Sequence, residues 1–162
     1  MSVAFVGIGS NLEDPARQVK QACVELDSLA ATRLVRASSL YRTAPMGYGA
    51  QPDFVNAVAQ LETALLPEEL LAELLAIEAR HGRRRSFANA PRTLDLDLLL
   101  YGEVQLRTAK LELPHPRMHE RAFVLVPLVE IAPETVIPGL GSARARLERL
   151  GDQAVERMRE GG

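Results

Sequence analysis

Asp95 and Asp97 stand two residues apart in the run Arg92-Thr93-Leu94-Asp95-Leu96-Asp97-Leu98-Leu99-Leu100. On a strand that spacing turns both carboxylates to one face and sends Leu96, Leu98 and Leu100 to the other. Two like charges in an apolar strand are costly to bury unpaired. One reading is a Mg²⁺ site, because Mg²⁺ takes one or two carboxylates and completes its shell with waters and substrate phosphates. Two such ions can clamp a transferring phosphate. The other reading is an Asp pair salt-bridged to neighbouring arginines.

From Ala79 to Leu94 there is no acidic residue, while Arg80, Arg83, Arg84, Arg85 and Arg92 all fall there, a local charge of +5 in a chain of net charge −2. The chain has 17 Arg and 2 Lys. Genome base composition alone can produce that bias, so position carries more weight than the total. A guanidinium fork matches phosphate oxygens bidentately. Carboxylates beside an Arg-rich loop therefore suit a polyphosphate, with metal on one side and guanidinium on the other. A solvated loop, or one paired with the Asp residues directly, remains the alternative.

His115 lies in Leu113-Pro114-His115-Pro116-Arg117, four residues before His119. That interval suits zinc on a helix, but two prolines argue against a helix and no third ligand is near. His115 is left either as a hydrogen-bond partner of a phosphate or nucleotide, or as a structural residue. His81, at a helix C-terminus, reads as a dipole partner. Phe54 and Asn56 share a strand face, an aromatic plane beside an amide edge. The pair suits a flat heterocycle, or else packs in the core; Phe123 is a further candidate. Gly7-Ile8-Gly9-Ser10-Asn11-Leu12 lacks the third Gly of a dinucleotide fingerprint, and no Gly-Lys-Ser/Thr occurs, so there is no Walker-type phosphate loop. Gly9-Ser10-Asn11 reads as a tight strand-to-helix turn.

The elements that must hold these residues follow from period and punctuation. Val3 to Ile8 is a short buried strand. Asp14 caps a helix that begins at Pro15 and runs to Leu29. Arg33 to Arg42 is a strand, and the loop Ala44 to Pro52 folds it against a half-buried strand from Phe54 to Thr63. Pro67, with Glu68 and Glu69 in the first turn, opens a helix that ends at Arg80-His81, with Gly82 as its C′ residue. Thr93 to Tyr101 is a strand stopped by Gly102, and Leu111 to Leu113 is a short one. Arg121 to Ile131 is helical, with Pro127 as a kink or break. Ser142 to Leu150 is a final helix; the tail after Gly151 is unassigned. Strands and helices mix without regular βαβ alternation, so the class is α+β.

The 162 residues, 47% apolar and 25% charged, fit one soluble domain spanning 1–162. No apolar run approaches the ~20 residues of a membrane span. Cys23 is alone, which forbids an intrachain disulfide and a Cys-based zinc site; it reads as a buried, inert thiol. The N-terminus has no basic residue before its apolar run and so is no secretory signal. The cytoplasm is the expected compartment. A net charge of −2 sets up no field to recruit nucleic acid.

Several segments then carry a resemblance together. They are Ala90-Pro91-Arg92-Thr93-Leu94-Asp95-Leu96-Asp97-Leu98-Leu99, Gly7 to Leu12, Ser39-Leu40-Tyr41-Arg42-Thr43, Gln51-Pro52-Asp53-Phe54-Val55-Asn56-Ala57, Ile77-Glu78 through Gly82-Arg83, and Pro114-His115-Pro116-Arg117-Met118 through Arg121-Ala122-Phe123. In order and spacing they resemble the 6-hydroxymethyl-7,8-dihydropterin pyrophosphokinase family of folate biosynthesis, from about Val3 to Pro138. The resemblance implies a ferredoxin-like core, a mainly antiparallel sheet with packed helices, and long active-site loops. It implies transfer of pyrophosphate from ATP to the pterin hydroxymethyl group, releasing AMP. Asp95 and Asp97 then hold two Mg²⁺ ions. Arg83 and Arg92 stabilise charge on the transferring group, and Arg85 and Arg121 contact ATP phosphates. Glu78 and His115 also serve ATP, and the backbone near Leu98, Lys110 and Glu112 frames the adenine. Phe54 and Phe123 sandwich the pterin, Asn56 reads its edge, and Thr43, Ala44 and Met46 line its pocket. A role for Asp95 in orienting the attacking hydroxyl is a further hypothesis, since no other base is evident. The expected partners are these two substrates, with no nucleic acid and no membrane, and the expected state is a monomer.

Four positions depart from the best-known members: Asn89 stands nearest a lid Trp in a loop one residue shorter, Pro116 and Phe54 replace Tyr, and Leu75 replaces Gln. Two rivals remain. One is a related Mg²⁺-dependent nucleotidyl- or phosphotransferase with another acceptor. The other is an RNA-binding or regulatory module, which needs a basic, aromatic-studded sheet face; aromatics here are 4% and Trp is absent.

Overall fold

The strand nearest the N-terminus lies in the interior of the main sheet. In the computed structural model, which describes residues 1–44, 52–82, 94–151 and 153–159, β1 (Ser2–Ser10) is followed by α1 (Pro15–Asp27), β2 (Thr32–Ala37), β3 (Tyr41–Thr43), β4 (Phe54–Thr63), α2 (Pro67–Arg80) and β5 (Asp95–Tyr101). Then come two short hairpin strands, β6 (Leu106–Arg107) and β7 (Glu112–Leu113), a 3-10 turn at Met118–Glu120, α3 (Ala122–Ile131), β8 (Val136–Ile137), β9 (Gly141–Ser142), α4 (Ala143–Arg149) and β10 (Glu156–Arg157).

The main sheet runs β10-β3-β4-β1-β5, with β2 also paired to β4, and every pairing is antiparallel. β2 and β3 lie end to end along one edge of β4, so together they act as one interrupted strand. With α1 and α2 as the crossovers, the first part of the chain is a βαββαβ ferredoxin-like unit. The expected single strand from Arg33 to Arg42 is broken at Ser38, whose hydroxyl accepts from the Val58 N–H (2.9 Å) while its own N–H donates to Val58 O (2.9 Å).

Both sheet faces are covered. Val19, Ala22 and Leu26 of α1, and Leu70, Leu74 and Ile77 of α2, pack on the face shared by Ala57, Ala59 and Leu61. Val124, Leu125 and Leu128 of α3, with Met118 and Ala143, pack on Val58, Leu99 and Phe5 behind it. Each fully buried Leu contributes about 1.5–3 kcal/mol. β4 is therefore largely buried on both sides, not half-buried: Val55 to Ala59 are all buried. Its alternation of types separates two cores rather than core from solvent.

Leu100 does not share a face with Leu96 and Leu98. The β1–β5 register shifts between Phe5, opposite Leu100, and Val6, opposite Leu98. Leu99 is the extra residue of that bulge, and beyond it the alternation reverses, putting Leu100 with Phe5 in the α3-side core.

The start of α1 differs from expectation, and the bounds of α2 match it. Asp14 occupies the N-cap of α1 but adopts a left-handed φ of 61° and makes no side-chain cap. The turn before it lies at Glu13 and Asp14, both at positive φ, while Gly9 and Ser10 remain in β1. At α2, Glu69 accepts from the Leu66 N–H (2.7 Å), Arg80 is the last residue, and Gly82 follows at φ 78°. Pro127 sits inside α3 without ending it, but it removes the helical bond that would reach Phe123 O.

Candidate active site

Residues paired across neighbouring strands share a face, and that rule assembles the site. Gly9 is the partner of Asn56 on β4 and of Asp95 on β5; Gly7 is the partner of Val58 and of Asp97. Thr43 on β3 is the partner of Phe54. All therefore lie on the face covered by α3. The two glycines add no side chains between β4 and β5, so a trough opens between the Asn56 and Asp95 rows. By the ~4.8 Å strand spacing it is roughly 10 Å across. A cavity of about 610 Å³ occupies it, bounded by Phe54, Asn56, Asp95, Asp97, Arg121 and Phe123, with Thr43 and Ala44 at one end. A Cβ on Gly9 would stand 3.2 Å from the side-chain oxygen Oδ1 of Asn56, so this glycine permits a close approach.

Phe54 and Phe123 both face the cavity from opposing elements, β4 and the first turn of α3. The Arg121 guanidinium lies 5.5 Å from the Phe123 ring centroid, a cation–π contact that holds both at the rim. Asn56 is buried and donates its Nδ2–H to Thr43 Oγ1 (2.8 Å). The arrangement offers a flat ring two aromatic faces and a fixed amide edge.

Asp95 and Asp97 are each half-buried at the other side of the trough. Beneath them, the carboxylate of Glu78, itself buried in α2, accepts from the Leu96 N–H at 2.6 Å. β5 is an edge strand, and this bond fastens its backbone between the two aspartates. Among the described residues no group of three or more His, Cys, Asp or Glu side chains gathers as a metal cage. Two carboxylates facing an open cavity fit Mg²⁺, which retains waters and takes its remaining ligands from substrate.

His115 lines a second cavity of about 550 Å³ with Glu112, Arg107 and His119. Its Nδ1 accepts from the Arg117 N–H (3.2 Å), so in the neutral ring Nε2 carries the proton and is the donor. Burial, then the Arg121 guanidinium, pushes its pKa down to about 4. An unfolded imidazole titrates near its ordinary value of about 6.5. Below that pH the unfolded chain binds a proton that the native chain refuses, so stability present above pH 6.5 is lost as pH falls towards 4. Urea midpoints measured from pH 7.5 to 4.5 will fall less steeply for His115→Gln than for the parent; parallel curves would contradict this origin of the acid sensitivity.

The remaining expected ATP residues are dispersed. Arg121 borders the first cavity, Glu112 the second, Leu98 is buried in the core, and Lys110 is in the exposed turn before β7, its N–H directed to Thr108 Oγ1 (3.3 Å). Arg83, Arg85, Arg92, Met46 and Asn89 lie outside the described residues. His81 is more than a dipole partner: its ring bonds Gln18 and Glu25 of α1, tying the end of α2 down. Cys23 is partly buried, and burial raises its thiol to about 11, which keeps it inert. Sequence reasoning missed Arg117, Glu120 and the tail residues Gln153, Ala154 and Val155, all of which line the first cavity.

Fold and site together define a ferredoxin-like domain with an acidic centre and an aromatic ring slot on one sheet face. Residues 5–133 match the family model for 7,8-dihydro-6-hydroxymethylpterin-pyrophosphokinase. The chain belongs to the 7,8-dihydro-6-hydroxymethylpterin-pyrophosphokinase family. It is 47% identical to the 2-amino-4-hydroxy-6-hydroxymethyldihydropteridine pyrophosphokinase of Haemophilus influenzae over 138 residues, 85% of this chain and 86% of that one. It is 42% identical to the protein of the same name in Methylorubrum extorquens, covering 98% of this chain and 99% of the relative. Among solved structures, the Plasmodium falciparum HPPK-DHPS wild type superposes with a TM-score of 0.69 at 14% identity, over 92% of this chain. This chain spans 43% of that one, so the likeness is one of fold. No helix among the described residues is long and apolar enough to cross a membrane.

Proposed function

We propose that this chain transfers the pyrophosphoryl group of ATP to the hydroxymethyl oxygen of 6-hydroxymethyl-7,8-dihydropterin. The observation that carries this reading is the trough itself: a ring slot of Phe54, Phe123 and Asn56 facing the Asp95–Asp97 pair across two glycines. The hydroxymethyl oxygen attacks the β-phosphorus and releases its proton to solvent. The bond between that phosphorus and the α-bridging oxygen breaks, and AMP leaves with the electron pair.

Phosphoryl transfer of this kind is accelerated chiefly by alignment and by neutralising charge. Phe54 and Phe123 clamp the acceptor ring, Asn56 sets its rotation, Thr43 and Ala44 close one end of the slot, and Met46 contributes to acceptor binding. Asp95 and Asp97 hold two Mg²⁺ ions, which draw charge from the phosphate oxygens when bound. Asp95, which borders the same cavity, also orients the hydroxyl. Arg83 and Arg92 stabilise the transferring group; Arg85 and Arg121 hold the ATP phosphates. His115 donates its Nε2–H to the nucleotide, with Glu112, Lys110 and the backbone at Leu98 framing the base. Glu78 serves ATP indirectly by fixing the strand that carries the carboxylates. We read the protein as a single-domain, Mg²⁺-dependent monomer of the cytoplasm.

The deciding experiment mixes the protein with Mg-ATP and 6-hydroxymethyl-7,8-dihydropterin and separates nucleotides from pterins. AMP and pterin diphosphate in equal amounts are expected. ADP would mean single phosphoryl transfer, and nucleotide turnover indifferent to the pterin would mean another acceptor.

A further inference from the structure

The tail after α4 returns to the site, and it lies beyond the residues 5–133 that the family model matches. It is fastened at two places. At one end the Gln153 side chain brackets Arg121: Oε1 accepts from the Ala122 N–H (2.9 Å) and Nε2 donates to Glu120 O (3.0 Å). Those are the backbone groups on either side of Arg121, at the start of the helix that carries Phe123. At the other end β10 pairs with β3, Glu156 opposite Arg42 and Arg157 opposite Tyr41, and the Met158 N–H donates to Leu40 O (2.8 Å). Arg157 also reaches Glu130 (4.0 Å), whose carboxylate accepts from Tyr41 Oη (2.6 Å). Between the two anchors, Ala154 and Val155 line the 610 Å³ cavity.

Phe123 stands at one anchor, and the β3 end with Thr43 and Ala44 stands at the other. A segment tied to both fixes their separation. Helix N-termini have unpaired N–H groups, and the Arg121 N-cap of α3 makes no side-chain cap of its own. Gln153 supplies an acceptor from 31 residues away.

We propose that the C-terminal segment is a third wall of the acceptor slot, and that Gln153 is a positioning residue that sets the gap between Phe123 and the β3 end. Acceptor affinity then depends on residues that have no part in the phosphate chemistry. Val155 limits the width of the bound ring from the tail side. This rests on the pterin reading of the slot.

Steady-state constants for both substrates test it, on the full-length chain, with thermal denaturation alongside. The parent chain is assayed first: if it makes no AMP with the pterin, the substrate reading fails and the tail variants are not the cause. Given turnover, Gln153→Ala is expected to raise the pterin KM about tenfold, the scale of one to two net hydrogen bonds. The ATP KM stays within about threefold, because the long Arg121 side chain can readjust where the short Phe123 cannot. Gln153→Glu keeps the acceptor for Ala122 and loses the donor to Glu120, so its pterin KM falls between. Val155→Phe, which leaves both anchors intact, raises the pterin KM with kcat for saturating pterin preserved. Unchanged pterin KM in Gln153→Ala and Val155→Phe, or equal rises for pterin and ATP, would overturn the proposal.

Discussion

Asp97→Ala reduces AMP formation about a thousandfold or more while the protein still unfolds cooperatively within a few degrees of the parent. The first half follows from charge: removing one fixed group that stabilises a developing anion costs about a hundred- to a thousandfold, and here a divalent cation is weakened with it. The second half follows from where the residue sits. Its neighbours Leu96 and Leu98 carry the β5 packing, and the Leu96 N–H is held by Glu78. Asp97 itself projects half-buried into the cavity opposite Gly7. Asp97→Asn, which keeps the shape and removes the charge, is expected to lose nearly as much activity. AMP release and a thermal melt measure both halves, and near-parental turnover in either variant would remove the two-ion proposal.

Asn56→Ala raises the pterin KM about a hundredfold and leaves the ATP KM near its parental value. A site built to hydrogen-bond its substrate loses far more than the bond when its polar group is removed, because the ligand's own donors and acceptors are stranded. The change also costs stability, about 1–3 kcal/mol, since Thr43 Oγ1 loses its partner in a part-buried place. Asn56→Asp separates the two effects. Its carboxylate can accept from the Thr43 hydroxyl, which restores the fold, but it has no N–H to offer an acceptor ring. A parental pterin KM in Asn56→Asp would mean that the amide does not touch the substrate.

The Asp95–Asp97 pair and the Phe54–Asn56 face were legible because β-strand parity needs only the sequence interval. So was β4, whose bounds at Phe54 and Thr63 are those expected. What brings the two pairs together was not legible. It depends on the register of β1: Gly9 reads as part of a turn and Gly7 as part of an incomplete dinucleotide fingerprint, when their role is to leave space. Punctuation and close approach are both glycine's uses, and only the pairing of strands far apart in sequence distinguishes them. Leu100 was misplaced for a similar reason: a bulge at Leu99 adds one residue to the count and reverses parity, with no mark in composition. The tail was unreadable because a two-residue strand has no period. β10 exists through its pairing with β3, and Gln153 is a cap supplied from outside the local helix.

β1 has a consequence for biosynthesis. It leaves the ribosome before either of its neighbours and ends as an interior strand of the finished sheet, with β4 on one side and β5 on the other. Its second neighbour begins at Asp95, some 85 residues after Ser10. At about 5–20 residues per second, that interval lasts roughly 4–17 s. During it, Ala4, Phe5, Val6 and Ile8 form an apolar ribbon with at least one open edge, a template for pairing with another nascent chain. Gly7 and Gly9 interrupt that ribbon where a β-branched residue would lengthen it. The same two gaps that open the finished trough therefore also lower the tendency of the unfinished chain to aggregate.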